Sequence, residues 1–233
     1  MGWVPRVGLG LLLLLSASAL PVLLARWIPV PVTSFMVRDR LEAWSNDETG
    51  YRFRHDWVAW ESISPEAALA VMAAEDQKFA VHHGFDLESI RQAMEAAEEG
   101  TRLRGASTIT QQLAKNLFLW PGRSWVRKGL EAWYTLLIEA CWSKQRILEV
   151  YLNSVEFGRG IWGIEAASQH FFGKPAARLT RQEAALLAAA LPNPLRLRVD
   201  RPGPWLRQRQ AWVVSQVGAL GGRAHLRGIE EAS

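Results

Sequence analysis

Between Arg6 and Arg26 the chain runs nineteen residues, Val7 to Ala25, without a charge and with leucine predominating. A stretch of that length and composition reads as a helix that spans a bilayer, because nineteen helical residues rise ~29 Å against a hydrocarbon core of ~30 Å. Trp3 and Trp27 flank it where an interfacial aromatic belt would lie. Ser16-Ala17-Ser18-Ala19 is small enough for a signal peptidase, which makes a cleaved leader the competing reading. The apolar run continues past that site through Leu24, longer than a leader needs, so the expectation is an uncleaved anchor over residues 1–27. Charge specifies its orientation poorly: Arg26, Arg38 and Arg40 on one side outweigh Arg6 and the amino terminus on the other.

The remainder has room for one substantial domain. Of 233 residues 49% are hydrophobic, enough for a full core and too many for global disorder. The net charge of +4 suits an anionic partner, but no basic run is interleaved with stacking aromatics, so nucleic acid is not expected. Cys141 cannot form an internal disulfide, because it is the single cysteine, and reads as a small buried hydrophobe. Residues 28–63, with Pro29 and Pro31, read as a connector. From residue 64 the chain reads helical. Ser64-Pro65-Glu66 opens a helix that ends near Phe79, and Asp86 caps a second that runs to Gly100. Others are expected over about 109–119, from Ser124 through Trp142, from Ser143 to about Asn153, and from Ile164 to Phe172. Thr180 with Glu183 forms a capping box, and Leu206 to Leu220 closes the series before Gly221-Gly222. No strand alternation is visible beyond the connector, so the fold class expected is all-α.

The most chemically loaded stretch is Gly-Ala-Ser-Thr-Ile-Thr-Gln-Gln-Leu-Ala-Lys-Asn at 105–116. A helix entry needs one small polar cap, yet Ser107, Thr108 and Thr110 crowd this one, and Gln111, Gln112, Lys115 and Asn116 follow within two turns. Thr108 with Gln111 fits a capping box. A helix start favours anions through its free N–H groups, and a lysine with two carboxamides added there suits a phosphate and sugar hydroxyls. A capped amphipathic surface helix accounts for the same residues equally well. His82-His83 lacks the further His or Cys that would complete a metal site nearby. Gly158, Gly160 and Gly163 have the wrong spacing for a dinucleotide loop and read as a tight turn.

The 105–116 segment resembles the Gly-x-Ser-Thr-Ile-Thr-Gln-Gln-Leu-x-Lys-Asn motif of the peptidoglycan glycosyltransferases, the enzymes that polymerise lipid II into glycan strands. Four further blocks are similar to that family's, in its order. These are Glu75-Asp76-Gln77-Lys78-Phe79-Ala80-Val81-His82-His83-Gly84, then Arg127-Lys128 with Glu131, then Lys144 to Asn153, and last Arg181 and Glu183 through Leu191-Pro192-Asn193-Pro194. They span residues 75–194, about half the chain.

The resemblance implies a two-lobed, lysozyme-like domain over residues 64–233, facing the periplasm from a single-pass anchor in a bacterial inner membrane. It implies transfer of a lipid-linked glycan chain to the 4-hydroxyl of an incoming sugar, with inversion and release of a polyprenyl pyrophosphate. Glu75 falls on the family's catalytic base. It stands near the end of an apolar helix beside Asp76, and the helix dipole and the second carboxylate both raise its proton affinity. Glu131 falls on a second carboxylate that assists at the donor side, with Arg127 and Lys128 on its helix face. Lys115, Arg123 and Lys128 are the candidates for holding pyrophosphate, with Ser107, Thr108, Gln111, Gln112, Asn116 and Arg127 around them. Asp76, Phe79, His82, Glu149 and Asn153 are expected to support the site. Trp120 and Trp125 flank Arg123 as a membrane-docking loop would. The partners implied are lipid II, the nascent lipid-linked strand, membrane lipid, and proteins of cell division or elongation. No cofactor is expected to be obligate, with Mg²⁺ or Mn²⁺ as an optional assistant to pyrophosphate chemistry. Ser-x-x-Lys and Lys-Thr-Gly motifs are absent, so no transpeptidase activity is expected. A muramidase would share the fold and one glutamate but would not need the lysine and glutamines of 105–116. A membrane scaffold would need no Glu75.

Overall fold

The structure, a computed structural model, describes residues 16–98 and 107–231. The described part is predominantly helical, as expected. Residues 16–25 are helical, but the first half of the expected anchor lies outside the described residues. Among the described residues no helix is long and apolar enough to cross a membrane. Ten helices follow: α1 (Ser34–Ser45), α2 (Pro65–Glu75), α3 (Leu87–Glu98), α4 (Ile109–Phe118), α5 (Trp125–Cys141), α6 (Lys144–Ser154), α7 (Ile164–Phe172), α8 (Arg181–Ala190), α9 (Pro204–Ala219) and α10 (Arg223–Glu231).

The expected caps place most of these helices. Ser64, Thr108, Ser124, Ser143 and Thr180 each accept a first-turn N–H at the start of α2, α4, α5, α6 and α8, and Thr108 and Thr180 form full capping boxes. Two helix groups share one core. The almost wholly apolar α2 packs against α8, α9 and α10, while α4 packs against α5, α6 and α1. α2 ends at Glu75, four residues before the expected Phe79, because Asp76 takes an extended conformation and turns its carboxylate to the neighbouring helix.

Three elements depart from the sequence reading. The connector contains α1, which the pattern hides because its inward face carries an acid: Met36, Asp39 and Ala43 are buried together. Asp39 accepts hydrogen bonds from Tyr51 Oη (2.8 Å) and Trp162 Nε1 (3.0 Å) and pairs with Arg159. A small sheet also forms, from β1 (Arg54–His55), β2 (Glu156–Gly158) and β3 (Ile161–Trp162), in the order β1-β3-β2, with β1 parallel and β2 antiparallel to β3. Strands of two and three residues are too short to show alternation. α10 follows the Gly221-Gly222 turn and buries only Leu226 and Ile229, which leaves little apolar period to read.

The glycine cluster is the tight turn expected, and Gly163 shows why glycine is needed there. Its φ is +80°, and an added Cβ would lie 2.7 Å from the Asn153 carbonyl oxygen. Asn153, fully buried, accepts from the Val58 N–H and donates to the Val58 and Glu149 carbonyls, all at 2.9 Å, which ties the connector to α6. Arg146 does the same for the N-terminal segment. Its guanidinium donates to the Ala25 and Ile28 carbonyls, pairs with Glu149 at 2.7 Å and lies over Trp57.

Candidate active site

The end of α2 and the start of α4 are bound together before any substrate is considered. Asp76 accepts from the Ile109 N–H (3.0 Å) and from His82 Nε2 (2.8 Å), while His82 Nδ1 accepts from the Gly84 N–H (3.1 Å). That pairing puts the ring proton on Nε2 without requiring a charge. Thr108 Oγ1 donates to the Gly84 carbonyl at 2.7 Å, so the loop after α2 and the cap of α4 form one rigid unit. Phe79 is buried beneath it, with Lys144 Nζ 4.4 Å from its ring centroid and also bound to the His82 carbonyl and Glu139. His82, Asp76 and Phe79 therefore join the end of α2 to the start of α4, and His82 Nε2 and Nδ1 are both engaged within this network.

Glu75 is the carboxylate this frame presents. Gln112 Nε2 donates to its Oε2 at 3.0 Å, and the other end of Gln112 accepts from the fully buried Tyr151 hydroxyl at 2.9 Å. Arg209 of α9 approaches Oε1 at 3.5 Å. Burial pushes the Glu75 carboxyl above the ordinary carboxylate range; Gln112 and Arg209 pull it back, and Asp76 adds a smaller upward push. Burial thus outweighs the neighbouring carboxylate stressed in the sequence reading. Glu75, Asp76, Gln77, Lys78, Ser107, Thr108 and Trp212 are among the residues lining a cleft of about 410 Å³.

A second cleft, of about 390 Å³, adjoins it through Ser107, which lines both. Its walls are Phe35, Gln111, Gln112, Lys115, Arg123, Arg127, Lys128 and Glu131, with Pro121 and Gly122 at the loop. Glu131 is only 4% exposed, unlike a surface ion pair, and meets Arg127 Nη1 at 2.8 Å and Lys128 Nζ at 2.5 Å. Among the described residues four cations face one carboxylate there. Lys115 and Arg123 make no ion pair among the described residues, and Lys115 Nζ lies 5.6 Å from the Phe35 ring centroid. Burial lowers the Lys115 pKa, and Arg127 and Lys128 lower it further, against an upward pull from Glu131 and Glu75. An anion entering this cleft would therefore meet a partly desolvated positive field.

Most of the residues expected at the site are thus gathered in two joined clefts. Thr108 and Gln111 spend their side chains on the capping box, although both still line a cleft. Asn116 is buried, and its backbone carbonyl accepts from Ser34 Oγ, holding α1 and Phe35 over Lys115. Glu149 and Asn153 stand outside both clefts, one bracing the N-terminal segment and the other the connector. Phe35, Arg209 and Trp212 were not among the expected site residues. Phe35 lies in the helix hidden within the connector, and Arg209 and Trp212 lie on α9, where the recurrence Trp205, Arg209, Trp212 marks a shared helix face but not what that face meets.

The family to which this arrangement belongs is shown by comparison with known proteins. A transglycosylase family model matches residues 44–218. The chain is 52% identical to the biosynthetic peptidoglycan transglycosylase of Pectobacterium carotovorum, over 97% of this chain and 94% of that protein. It is 50% identical to the protein of the same name from Pseudomonas entomophila, over 97% and 95%, and 53% identical to the one from Xanthomonas campestris, over 93% and 88%. The chain belongs to the transglycosylase family.

Proposed function

We propose that the protein is a peptidoglycan glycosyltransferase that polymerises lipid II, with Glu75 as general base in one cleft and the cation cluster as pyrophosphate holder in the other. The observation that carries this reading is the meeting of the two clefts at Ser107. A partly buried carboxylate of raised proton affinity sits on one side, and among the described residues four cations with one paired acid sit on the other. An inverting displacement needs that separation, because the nucleophile loses a proton at one end while negative charge develops on the leaving group at the other. The incoming sugar's 4-hydroxyl gives its proton to Glu75 as its oxygen bonds to the donor's anomeric carbon. The bond from that carbon to the pyrophosphate breaks, and Lys115, Arg123, Arg127 and Lys128 take up the charge. Glu131 keeps Arg127 and Lys128 aligned toward that cleft.

Residues 1–27 serve in this reading as a single-pass anchor in a bacterial cytoplasmic membrane, with residues 64–233 facing the periplasm. Trp120 (51% exposed), Trp125 (93%) and Val126 (71%) support it, because they leave large apolar side chains in solvent next to the loop that lines the cation cleft, a composition suited to lipid headgroups. Among the described residues no group of three or more His, Cys, Asp or Glu could hold a metal. The cleft carboxylates are already engaged: Glu75 by Gln112 and Arg209, Asp76 by His82 and the Ile109 N–H, Glu131 by two cations. These residues do not fit a protein-built divalent site. A cation that assists would be held by the substrate's own pyrophosphate.

The test is product analysis after incubating the purified full chain with lipid II, with and without chelator. Strands of increasing length with release of polyprenyl pyrophosphate, and no gain of free reducing ends, are expected. Net gain of reducing ends would instead identify a muramidase, and unchanged lipid II would leave a scaffold.

A further inference from the structure

We propose that the Trp205–Arg209–Trp212 face of α9 is a sugar-binding subsite, opening onto the Glu75 cleft, that takes the pyranose rings of the acceptor. The proposal rests on the polymerase reading for the identity of the sugar, but its geometry stands apart from the pyrophosphate cleft. Residues 205, 209 and 212 follow a spacing of four and three and so share one helix face. The inward stripe of α9 is Leu206, Val213 and Val217, which secures the helix without either tryptophan. Trp205 is 54% exposed and Trp212 40%. Two large indoles left in solvent side by side on one helix face mark an interaction surface rather than an incompletely covered core.

Arg209 fixes the pair. Its guanidinium carbon lies 5.8 Å from each indole centroid, and its Nη2 reaches the Ala74 carbonyl (3.3 Å) and Glu75 (3.5 Å). One side chain therefore spaces the two rings and ends at the base. Its Nε is buried with no hydrogen-bond partner, an uncompensated cost that stability alone does not explain. Trp205, Gln208, Arg209 and Trp212 line a cleft of about 230 Å³, and Trp212 also lines the cleft that holds Glu75. A ligand resting on these rings is directed toward the carboxylate.

The chemistry selects a neutral sugar. An indole face carries the negative side of its quadrupole and attracts the partly positive C–H groups that one face of a pyranose presents. The Gln208 carboxamide has no partner among the described residues and is free to meet a hydroxyl or acetamido group. An anion is disfavoured, because among the described residues Arg209 is the one cation lining this cleft and it lies against Glu75, whereas the other cleft carries an excess of positive charge. The two clefts thus divide the reacting ends, the donor's leaving pyrophosphate to one and the uncharged ring that bears the attacking hydroxyl to the other.

The experiment uses full-length protein in detergent micelles, labelled with nitrogen-15 at its indoles and titrated with N-acetylglucosamine tetramer, a lipid-free probe without pyrophosphate. Trp205→Phe and Trp212→Phe assign the two resonances. Saturable shifts of those two indoles, with Trp120 and Trp125 unmoved, are expected. Trp205→Ala and Trp212→Ala should raise the KM for lipid II roughly tenfold, with a much smaller change in kcat. Unmoved indoles at saturating probe, together with a wild-type KM in the doubly substituted protein, would overturn the subsite. Polymerisation by the wild type in that same assay would leave the function intact, so the two failures are separable.

Discussion

Gln112 is the residue that most directly holds Glu75, the proposed base. It donates to Glu75 Oε2 at 3.0 Å and accepts from the Tyr151 hydroxyl at 2.9 Å, so Gln112→Leu removes two partly buried hydrogen bonds at nearly constant volume. The first is a bond to a charged acceptor, worth about 1.5–3 kcal/mol. Since one pKa unit corresponds to about 1.4 kcal/mol, its loss should raise the Glu75 pKa by roughly 1–2 units, beyond the rise burial already imposes. A general base must be ionised to accept a proton, so in the proposed mechanism the acid limb of the polymerisation rate should move to higher pH by that amount. The second loss strands a fully buried hydroxyl and should cost about 1–3 kcal/mol at every pH. Tyr151→Phe is the control, because it lowers stability without touching Glu75 and should leave the limb in place. Rates measured across pH on lipid II in detergent, with urea unfolding of the same proteins, separate the two effects. A folded Gln112→Leu protein whose acid limb stays at the wild-type position would refute this reasoning.

Lys115→Ala removes a half-buried cation that pairs with no acid among the described residues, so the polymerisation rate should fall well beyond any loss in melting temperature; Arg123→Ala, on an exposed loop, should act likewise and less severely. Loss of melting temperature with full activity in both would make the start of α4 a structural cap only. Trp120→Ser with Trp125→Ser should leave unfolding within about 0.5 kcal/mol of wild type while weakening co-sedimentation with anionic vesicles. Full vesicle binding by that double variant would remove the docking role. Glu156, whose pKa burial and nearby Asp39 raise to about 7, favours the protonated form when folded. Its contribution is therefore lost as pH climbs from the unfolded value of 4.5 to about 7, and Glu156→Gln should stabilise the protein at pH 8 by on the order of 2–3 kcal/mol and not at pH 4. Equal gains at both pH values, read by urea unfolding, would contradict that.

The legible parts of this fold were those written in local chemistry. Ser64, Thr108, Ser124, Ser143 and Thr180 start their helices as read, because capping is decided within four residues. What stayed hidden depends on partners distant in sequence. α1 buries an acid that becomes tolerable only when Tyr51, Trp162 and Arg159 converge on it. The high proton affinity of Glu75 was attributed to Asp76 and the helix end, whereas Asp76 directs its carboxylate to His82 and the Ile109 N–H and burial dominates. Residues of the 105–116 segment line both clefts, but the segment alone does not show that Gln112 joins Glu75 to Tyr151, thirty-nine residues on. Arg209 lies 134 residues from Glu75, beyond the reach of any spacing argument.

The central claim is that Glu75 takes the proton while the neighbouring cation cleft holds the leaving group. Single-turnover polymerisation of lipid II by Glu75→Gln tests it most directly, with substrate binding measured on the same protein. The substitution keeps size and hydrogen bonding but cannot accept a proton, so the rate should fall by ~10²–10⁴-fold while lipid II affinity stays near wild type. Folded Glu75→Gln protein that extends strands at the wild-type rate would contradict the account.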